Sequence, residues 1–373
     1  MTNRIIIIGG GFAGLSAARR IFLSGMAFDG VIIDRKKSSD FLPVLPDCLG
    51  RGIDPDCLAY PIGEMCKKTG FKFINEEVIS VDIGKKQVST SAGTLGYDFL
   101  IIASGSETNF YGNDNIRQGS YKLDDVRDAE NIARELKKTG RETYIVGGGG
   151  YTGVEVAANL AIFLNSQKLS RPRIIIVERS ADILGPLPGW MKSYVRSNLE
   201  RLKVEVLTGS QIEKIDGPKV YISGVPVLNN ALVIWAAGVK TAGFIQNLDV
   251  KKNPQGRIEV DEYLRLDKNC FVAGDASYVR HGDIFLRMSV QFAIAQGDCA
   301  ARNIVNTIKS AKLRKYKPVD LGYIIPMANN ISCGTVFGIN VKGILATLLH
   351  FAMCLYRSWS LKNRICLMRS LIH

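Results

Sequence analysis

The eight cysteines, at positions 48, 57, 66, 270, 299, 333, 354 and 366, form no C-x-x-C and no C-x-x-x-x-C pair. That absence excludes a zinc ribbon and a closely spaced redox disulfide, and buried or idle thiols are the reading that remains. No apolar run reaches the roughly 20 residues that a membrane-spanning helix needs. No stretch outside the carboxy-terminal tail interleaves basic with aromatic residues, which argues against nucleic-acid binding. The first predicted strand begins at Arg4 with nothing cleavable before it, so the sequence predicts no signal peptide and synthesis in a reducing compartment.

What is present is a globular composition. The chain has 373 residues, 46% hydrophobic and 22% charged, which predicts two or three subdomains rather than one core. Its formal net charge of +13 suits nucleic acid, anionic lipid or anionic cofactors, and sign alone does not choose among them. Pairs such as Lys67-Lys68, Lys85-Lys86 and Lys251-Lys252 are scattered as solvated faces, whereas the tail concentrates its charge.

The chain is organised around Arg4 to Arg19, RIIIIGGGFAGLSAAR. Ile5 to Ile8 read as a strand buried on both faces, and Gly9, Gly11 and Gly14 follow in G-x-G-x-x-G spacing, with Phe12 and Ala13 inside it. Gly9 allows the tight turn, Gly11 lets backbone approach a pyrophosphate, and Gly14 lets the next helix, predicted over Leu15 to Leu23, pack on the strand. The helix N-terminus stabilises phosphate charge. A second strand, Val31 to Ile33, ends at Asp34, about 20 residues past Gly14 and placed for a ribose hydroxyl, with Arg35 beside it.

A Pro-punctuated loop follows Asp34, and alternation over FKFINEEVISVDIGKKQVSTSAG predicts an antiparallel meander turning near Gly84-Lys85. Tyr97 to Phe110 predicts a buried strand ending in Ala103 and Gly105, small residues that let backbone come near a cofactor. A helix is predicted over Leu123 to Lys138, with Asp124 and Asp125 in its first turn.

Then the opening pattern returns. Thr143 to Val146 predicts a strand, Gly148, Gly150 and Gly153 repeat the fingerprint before a helix over Val154 to Leu164, and a strand over Ile174 to Val177 ends in Glu178. That acid favours NADH over NADPH, although Arg179 follows it. The repeat, at an interval of about 140 residues, means two dinucleotide sites in one chain, or a duplication that has lost one ligand. A helix over Trp190 to Leu202 and the segments VEVLTG and KVYISG complete the second unit. Ala231 to Val239 reads as another buried strand, ending in small residues that include Gly238 and returning the chain to the first domain. Cys270 to Val279 carries a strand into Gly274-Asp275, where the acid either bonds polyol hydroxyls or is a plain turn residue.

The two fingerprints, ASGSETNF, IWAAGV and FVAGDAS together resemble the two-dinucleotide-binding-domain flavoproteins. That resemblance implies FAD on Gly9, Gly11, Phe12, Ala13, Gly14, Asp34, Arg35, Ala103, Gly105, Gly274 and Asp275. It implies NADH on Gly148, Gly150, Gly153, Glu178 and Gly238. Finer features are similar to type II NADH:quinone oxidoreductases: FLPVLPD at 41–47, SETNFYG at 106–112, GGYTGVEVA at 149–157, VQFAIAQG at 290–297 and DLGYIIPM at 320–327. The family likeness implies Glu155 as a catalytic residue near the flavin ring and nicotinamide, and Gln291 and Gln296 on the quinone side. The family usually shows two adjacent glutamines where this chain has Ala295 before Gln296. Without the likeness, a surface or dipole-compensating residue at a helix start is the lesser alternative for Glu155.

The tail differs in character. Gly343 to Tyr356 is apolar apart from His350, and beyond it Leu361, Ile365, Met368 and Ile372 recur at helical spacing, flanked by Arg357, Lys362, Arg364 and Arg369, with Trp359 at the junction. This pattern predicts a helix lying in the headgroup region of a membrane; a homodimer would bury similar residues.

The expected fold is α/β, with two Rossmann-like dinucleotide-binding domains. The FAD domain is expected at 1–112 and 237–320, the NADH domain inserted at 113–236, and a membrane-anchoring region at 321–373. The expected activity passes hydride from NADH to FAD and two electrons to a membrane quinone, without proton pumping and without metal, at the cytoplasmic or matrix face. Sulfide:quinone oxidoreductases share the architecture but use cysteines beside the flavin, and none lies between Cys66 and Cys270 here. Disulfide reductases need a closely spaced pair. A flavoprotein that senses NADH with little turnover is the remaining rival.

Overall fold

The computed structural model describes residues 2–138, 140–167, 173–282 and 284–372. The fold is α/β, in two compact units. One comprises Met1–Ser39, Pro61–Glu107 and Val239–Asp320; the other comprises Asp40–Tyr60, Thr108–Gly238 and Leu321–His373.

The first unit is built on a five-stranded parallel sheet. Asn3–Ile8 lies at its centre, between Phe28–Ile33 and Phe99–Ile102, with Phe71–Ile74 and Cys270–Val272 at the edges. Ile5, Ile6 and Ile7 are wholly buried, which is why the strand is a continuous apolar run rather than an alternating one. Helices Phe12–Phe22 and Val290–Ile308 pack closely: a Cβ on Gly297 would lie 2.1 Å from the carbonyl oxygen of Ala13. Asp298 joins them, bonding Arg20 of the first helix and Arg302 of its own. The meander is Val78–Asp82, Gln87–Thr90 and Gly93–Gly96, antiparallel throughout. It excludes Phe71–Ile74, which alternation had joined to it; that strand extends the parallel sheet instead, with the ring of Phe71 4.9 Å from that of Phe28.

The second unit carries a four-stranded parallel sheet in the order Val204–Thr208, Arg173–Glu178, Thr143–Gly147, Ala231–Trp235. Ala231–Trp235 was expected to return the chain to the first domain. It is instead registered along Thr143–Gly147, and the passage to the other unit follows Gly238. Helix Val126–Leu136 starts later than predicted because Asp125 is its cap, accepting the Asp128 N–H at 3.0 Å; Asp124 stands outside and accepts from the Thr108 N–H and hydroxyl. This helix and Tyr151–Ser166 cover the sheet, with Ile132, Leu136, Val154 and Leu160 in one buried cluster.

The tail forms an antiparallel sheet of Gly322–Ile325, Cys333–Val336 and Ile339–Lys342, followed by helices Gly343–Arg357 and Leu361–Ile372. Among the described residues no helix is long and apolar enough to cross a membrane. Leu361, Ile365 and Met368 are exposed, Leu367 is buried, and the side chain of Ile372 lies outside the described ones. One expectation about the cysteines is overturned: Cys57 and Cys366 form a disulfide, Cα to Cα 5.3 Å, 309 residues apart. So distant a pairing leaves no local spacing to read. The other six are free and buried.

Candidate functional site

In the first unit, strand Asn3–Ile8 enters the turn at Gly9, whose φ of +105° and approach to Ala103 suit only glycine. Ala103 is held there by its N–H, which donates to the Ile8 carbonyl at 2.8 Å. A Cβ on Gly14 would lie 1.9 Å from the Gly9 oxygen, whereas one on Gly11 would meet no atom of the described residues within 4 Å. The helix therefore begins at Phe12, with Ala13 also buried in its first turn, and leaves open space before its amides. Asp34 closes the turn: its carboxylate accepts the Gly10 N–H at 2.7 Å and the Lys36 N–H at 2.8 Å. Burial raises its pKa, against those two bonds.

A cleft runs past Gly9, Asp34, Glu77, Ser104, Glu107 and Phe244. The guanidinium of Arg35 is engaged with Glu107 at 2.9 Å and Glu77 at 3.8 Å rather than standing free. Gly105, at φ +67°, turns the chain beyond it. Gly274 lies on Ala13, and the neighbouring Asp275 accepts the Ser106 hydroxyl at 2.8 Å, its pKa raised by burial. These features fit a dinucleotide: an open cradle at Gly11, a buried Ser104 hydroxyl with no partner among the described residues, and two buried acids.

The second unit repeats this turn. Gly148 has φ +108°, a Cβ on Gly153 would lie 1.9 Å from the Gly148 oxygen, and one on Gly150 would meet no atom of the described residues within 4 Å. Glu178 accepts the Gly149 N–H at 2.7 Å and the Ser180 N–H at 2.7 Å, the same pair of bonds that Asp34 makes. Gly238 lies under the hydroxyl of Tyr111, and its carbonyl accepts the Asn109 N–H at 3.1 Å.

Glu155, on helix Tyr151–Ser166, sits in a buried polar cluster that sequence reasoning missed. Burial and the nearby Asp47 hold its carboxyl well above the usual range. Asp47 is itself pushed up to about 6 by burial, opposed by Arg51 at 2.9 Å. His350 is pushed down to about 4 by burial, with Arg51 adding to the shift. Asn159 bonds Asp47 and donates to the Glu155 carbonyl at 3.0 Å. Two signals were available, the D-x-x-x-R spacing of Asp47 and Arg51 and the i, i+4 spacing of Glu155 and Asn159.

Gln291 and Gln296 sit on helix Val290–Ile308, five residues apart, which turns them about 140° from one another. Gln291 donates to Asp320 at 3.1 Å beside the Arg287–Asp320 pair. Gln296 is buried and its carboxamide oxygen accepts from the Gly274 N–H at 2.7 Å and the Ser277 hydroxyl at 2.9 Å. That oxygen holds the Gly274 turn.

Comparison with known proteins adds the family and a likeness of fold. Residues 3–297 match the pyridine nucleotide-disulphide oxidoreductase family. A demethylphylloquinone reductase, NdbB, of Synechocystis is 27% identical over 95% of this chain and 92% of its own length. A type II NADH:quinone oxidoreductase of Staphylococcus haemolyticus is 25% identical over 91% of each. The structure of NDH2 from Plasmodium falciparum in complex with NADH superposes with a TM-score of 0.87 at 19% identity, covering 100% of this chain and 98% of that one, a likeness of fold. With the match extending over most of its length, this chain belongs to the pyridine nucleotide-disulphide oxidoreductase family.

Proposed function

We propose that the chain is an FAD-dependent NADH:quinone oxidoreductase, passing two electrons from NADH to a membrane quinone without pumping protons. The observation that carries this is the duplicated turn, in which Asp34 and Glu178 each accept two backbone N–H groups beside an open glycine cradle. One such site binds one adenine dinucleotide; two serve a donor and a resident cofactor. The activities for which the relatives are named supply the direction of transfer and the quinone.

Under this reading the domains are Rossmann-like, with FAD on the unit of Met1–Ser39, Pro61–Glu107 and Val239–Asp320, and NADH on the unit that carries Thr108–Gly238, so that Asp40–Tyr60 goes with the NADH unit and not with the FAD domain expected at 1–112. Gly9, Gly11 and Gly14 hold the flavin dinucleotide's pyrophosphate at the helix N-terminus, with Phe12 and Ala13 in the first turn. Asp34 takes a ribose hydroxyl, and Arg35, Ala103, Gly105 and Gly274 shape the cleft around it. Asp275 takes the polyol hydroxyls. Gly148, Gly150 and Gly153 hold the NADH pyrophosphate, Glu178 its ribose, and Gly238, under the Tyr111 hydroxyl, closes the end of the neighbouring strand against it. The flavin, when bound, supplies the two-electron carrier between nicotinamide and quinone. Glu155, whose carboxyl burial and Asp47 push above the usual range, is the group that exchanges a proton in the reaction. Gln291 faces the quinone, and Gln296 acts through the turn that it holds. The exposed Leu361, Ile365 and Met368, flanked by Lys362, Arg364 and Arg369, rest on an anionic membrane surface.

Purified protein should show flavin absorbance and oxidise NADH catalytically when a short-chain quinone is added. Flavin reduced once by NADH without turnover would instead mark a sensor. Sulfide-dependent quinone reduction would restore the rival enzyme, against which the missing central cysteines count.

A further inference from the structure

Arg257, in the first unit, is only 5% exposed. Its Nε donates to the carbonyls of Asp275 and Ser277, at 3.2 and 3.0 Å, and its Nη1 to the carbonyl of Leu286 at 3.1 Å. The guanidinium stands 5.5 Å from the centre of the Tyr278 ring, which stacks on Phe285 at 3.8 Å. Among the described residues no carboxylate meets it in an ion pair. A buried guanidinium bonded only to neutral carbonyls keeps a full charge in a poorly solvated place, a costly state unless an anion lies close by.

That anion is Asp275, whose backbone Arg257 grips. The groups facing the Asp275 carboxyl are Ser106 and Arg257, and those facing Arg257 are Asp275 and Tyr278. Burial raises the Asp275 pKa; the Ser106 hydroxyl and the Arg257 charge pull it back. Gln296 fastens the same turn at Gly274 and Ser277. Both ends of the turn are thus fixed, and the Asp275 carboxylate, which accepts the Ser106 hydroxyl at 2.8 Å through Oδ2, keeps Oδ1 to meet a ligand.

We propose that Arg257 is the positioning residue of the Gly274–Ala276 turn: it fixes the backbone around Asp275 and places a buried positive charge behind it, so that Asp275 meets the polyol hydroxyls of a flavin as a carboxylate. This rests on the reading of the first unit as the FAD site. A charged acceptor bonds a hydroxyl roughly twice as strongly as a neutral one, so losing the charge weakens FAD binding rather than merely loosening the fold.

The test is FAD affinity of the full apoprotein, titrated by flavin fluorescence between about pH 5.5 and 8, in wild type, R257Q, R257K, D275N and R257Q/D275N. Arg257→Gln should weaken binding about tenfold at neutral pH, and more as the pH falls, because Asp275 then protonates at a higher pH. Arg257→Lys, which keeps the charge, should stay within about threefold of wild type with the wild-type pH profile. In the Asp275→Asn background, Arg257→Gln should add less than about twofold, the non-additivity of residues acting as a unit. Equal losses in both backgrounds, or an unchanged R257Q, would overturn the proposal. Should R257Q not fold, R257K decides: a tenfold loss that is flat with pH counts against it. Wild type that takes up no FAD defeats the reading of the site itself, whereas uptake with an unaffected R257Q defeats only this inference.

Discussion

Gly14 stands so close to Gly9 that a single added carbon would lie 1.9 Å from the Gly9 carbonyl oxygen. Gly14→Ala must therefore push the helix off its strand, at a cost of roughly 1–3 kcal/mol, and should lower the melting temperature of the apoprotein by about 2–6 °C. Gly11→Ala points its methyl into open space, so the apoprotein should melt as wild type does while FAD affinity falls at least about tenfold. Thermal melts and flavin titration on the two variants separate packing from ligand contact.

Glu178 should matter to NADH and not to FAD. Glu178→Ala removes two charge-assisted bonds, to the Gly149 and Ser180 amides, and the proposed ribose contact with them. The KM for NADH should rise about tenfold or more, as expected for about 1.5–3 kcal/mol per charged hydrogen bond, with bound flavin unchanged. Loss of flavin in this variant would contradict the assignment of the two turns.

Asp47 and His350 should give stability opposing slopes with pH. Asp47 titrates near 6 in the fold against an ordinary value of 3.8, so its contribution is complete below about pH 3.8 and lost as pH rises through about 6. His350 titrates near 4 against 6.5, so its contribution is complete above about pH 6.5 and lost as pH falls through about 4. Each amounts to about 3 kcal/mol, and between pH 4 and 6 they largely cancel. Relative to wild type, Asp47→Asn should make stability climb more with pH over this window and His350→Gln make it decline more, while Glu155, also raised by burial, adds a declining slope in both; urea unfolding at several pH values reads the differences.

The tail should bind anionic vesicles through helix Leu361–Ile372. Replacing Leu361, Ile365 and Met368 together by Asp removes exposed apolar surface without touching the buried Leu367, and should abolish flotation with anionic vesicles while NADH oxidation with a water-soluble quinone persists. Unchanged flotation would move the membrane contact elsewhere.

What could be read in advance was local in sequence. Ile5 to Ile8, the glycine spacing and Asp34 lie within one strand–turn–helix–strand segment, and their repeat at Gly148 to Glu178 made the pairing of sheets legible. Phe71–Ile74 was misplaced because a short alternating strand looks the same in a meander and at a parallel edge. The group of Asp47, Arg51, Glu155 and His350 is gathered from three distant segments: the spacing of Asp47 and Arg51 and that of Glu155 and Asn159 each marked a local pair, but no spacing joined the pairs to one another or to His350. Gln296 was noticed, but its bonds to Gly274 and Ser277 depend on how two elements meet in space.

The link between Cys57 and Cys366 makes most of the polypeptide a covalent ring. A protease that nicks any one peptide bond between those two residues releases no fragment until a reductant is added, so limited digestion will understate damage on an oxidising gel. The carboxy-terminal helix is also held by Asn363, which donates to the carbonyls of Cys57 and Ala59 at 2.8 and 3.0 Å, so reduction alone opens the ring without letting go of its end.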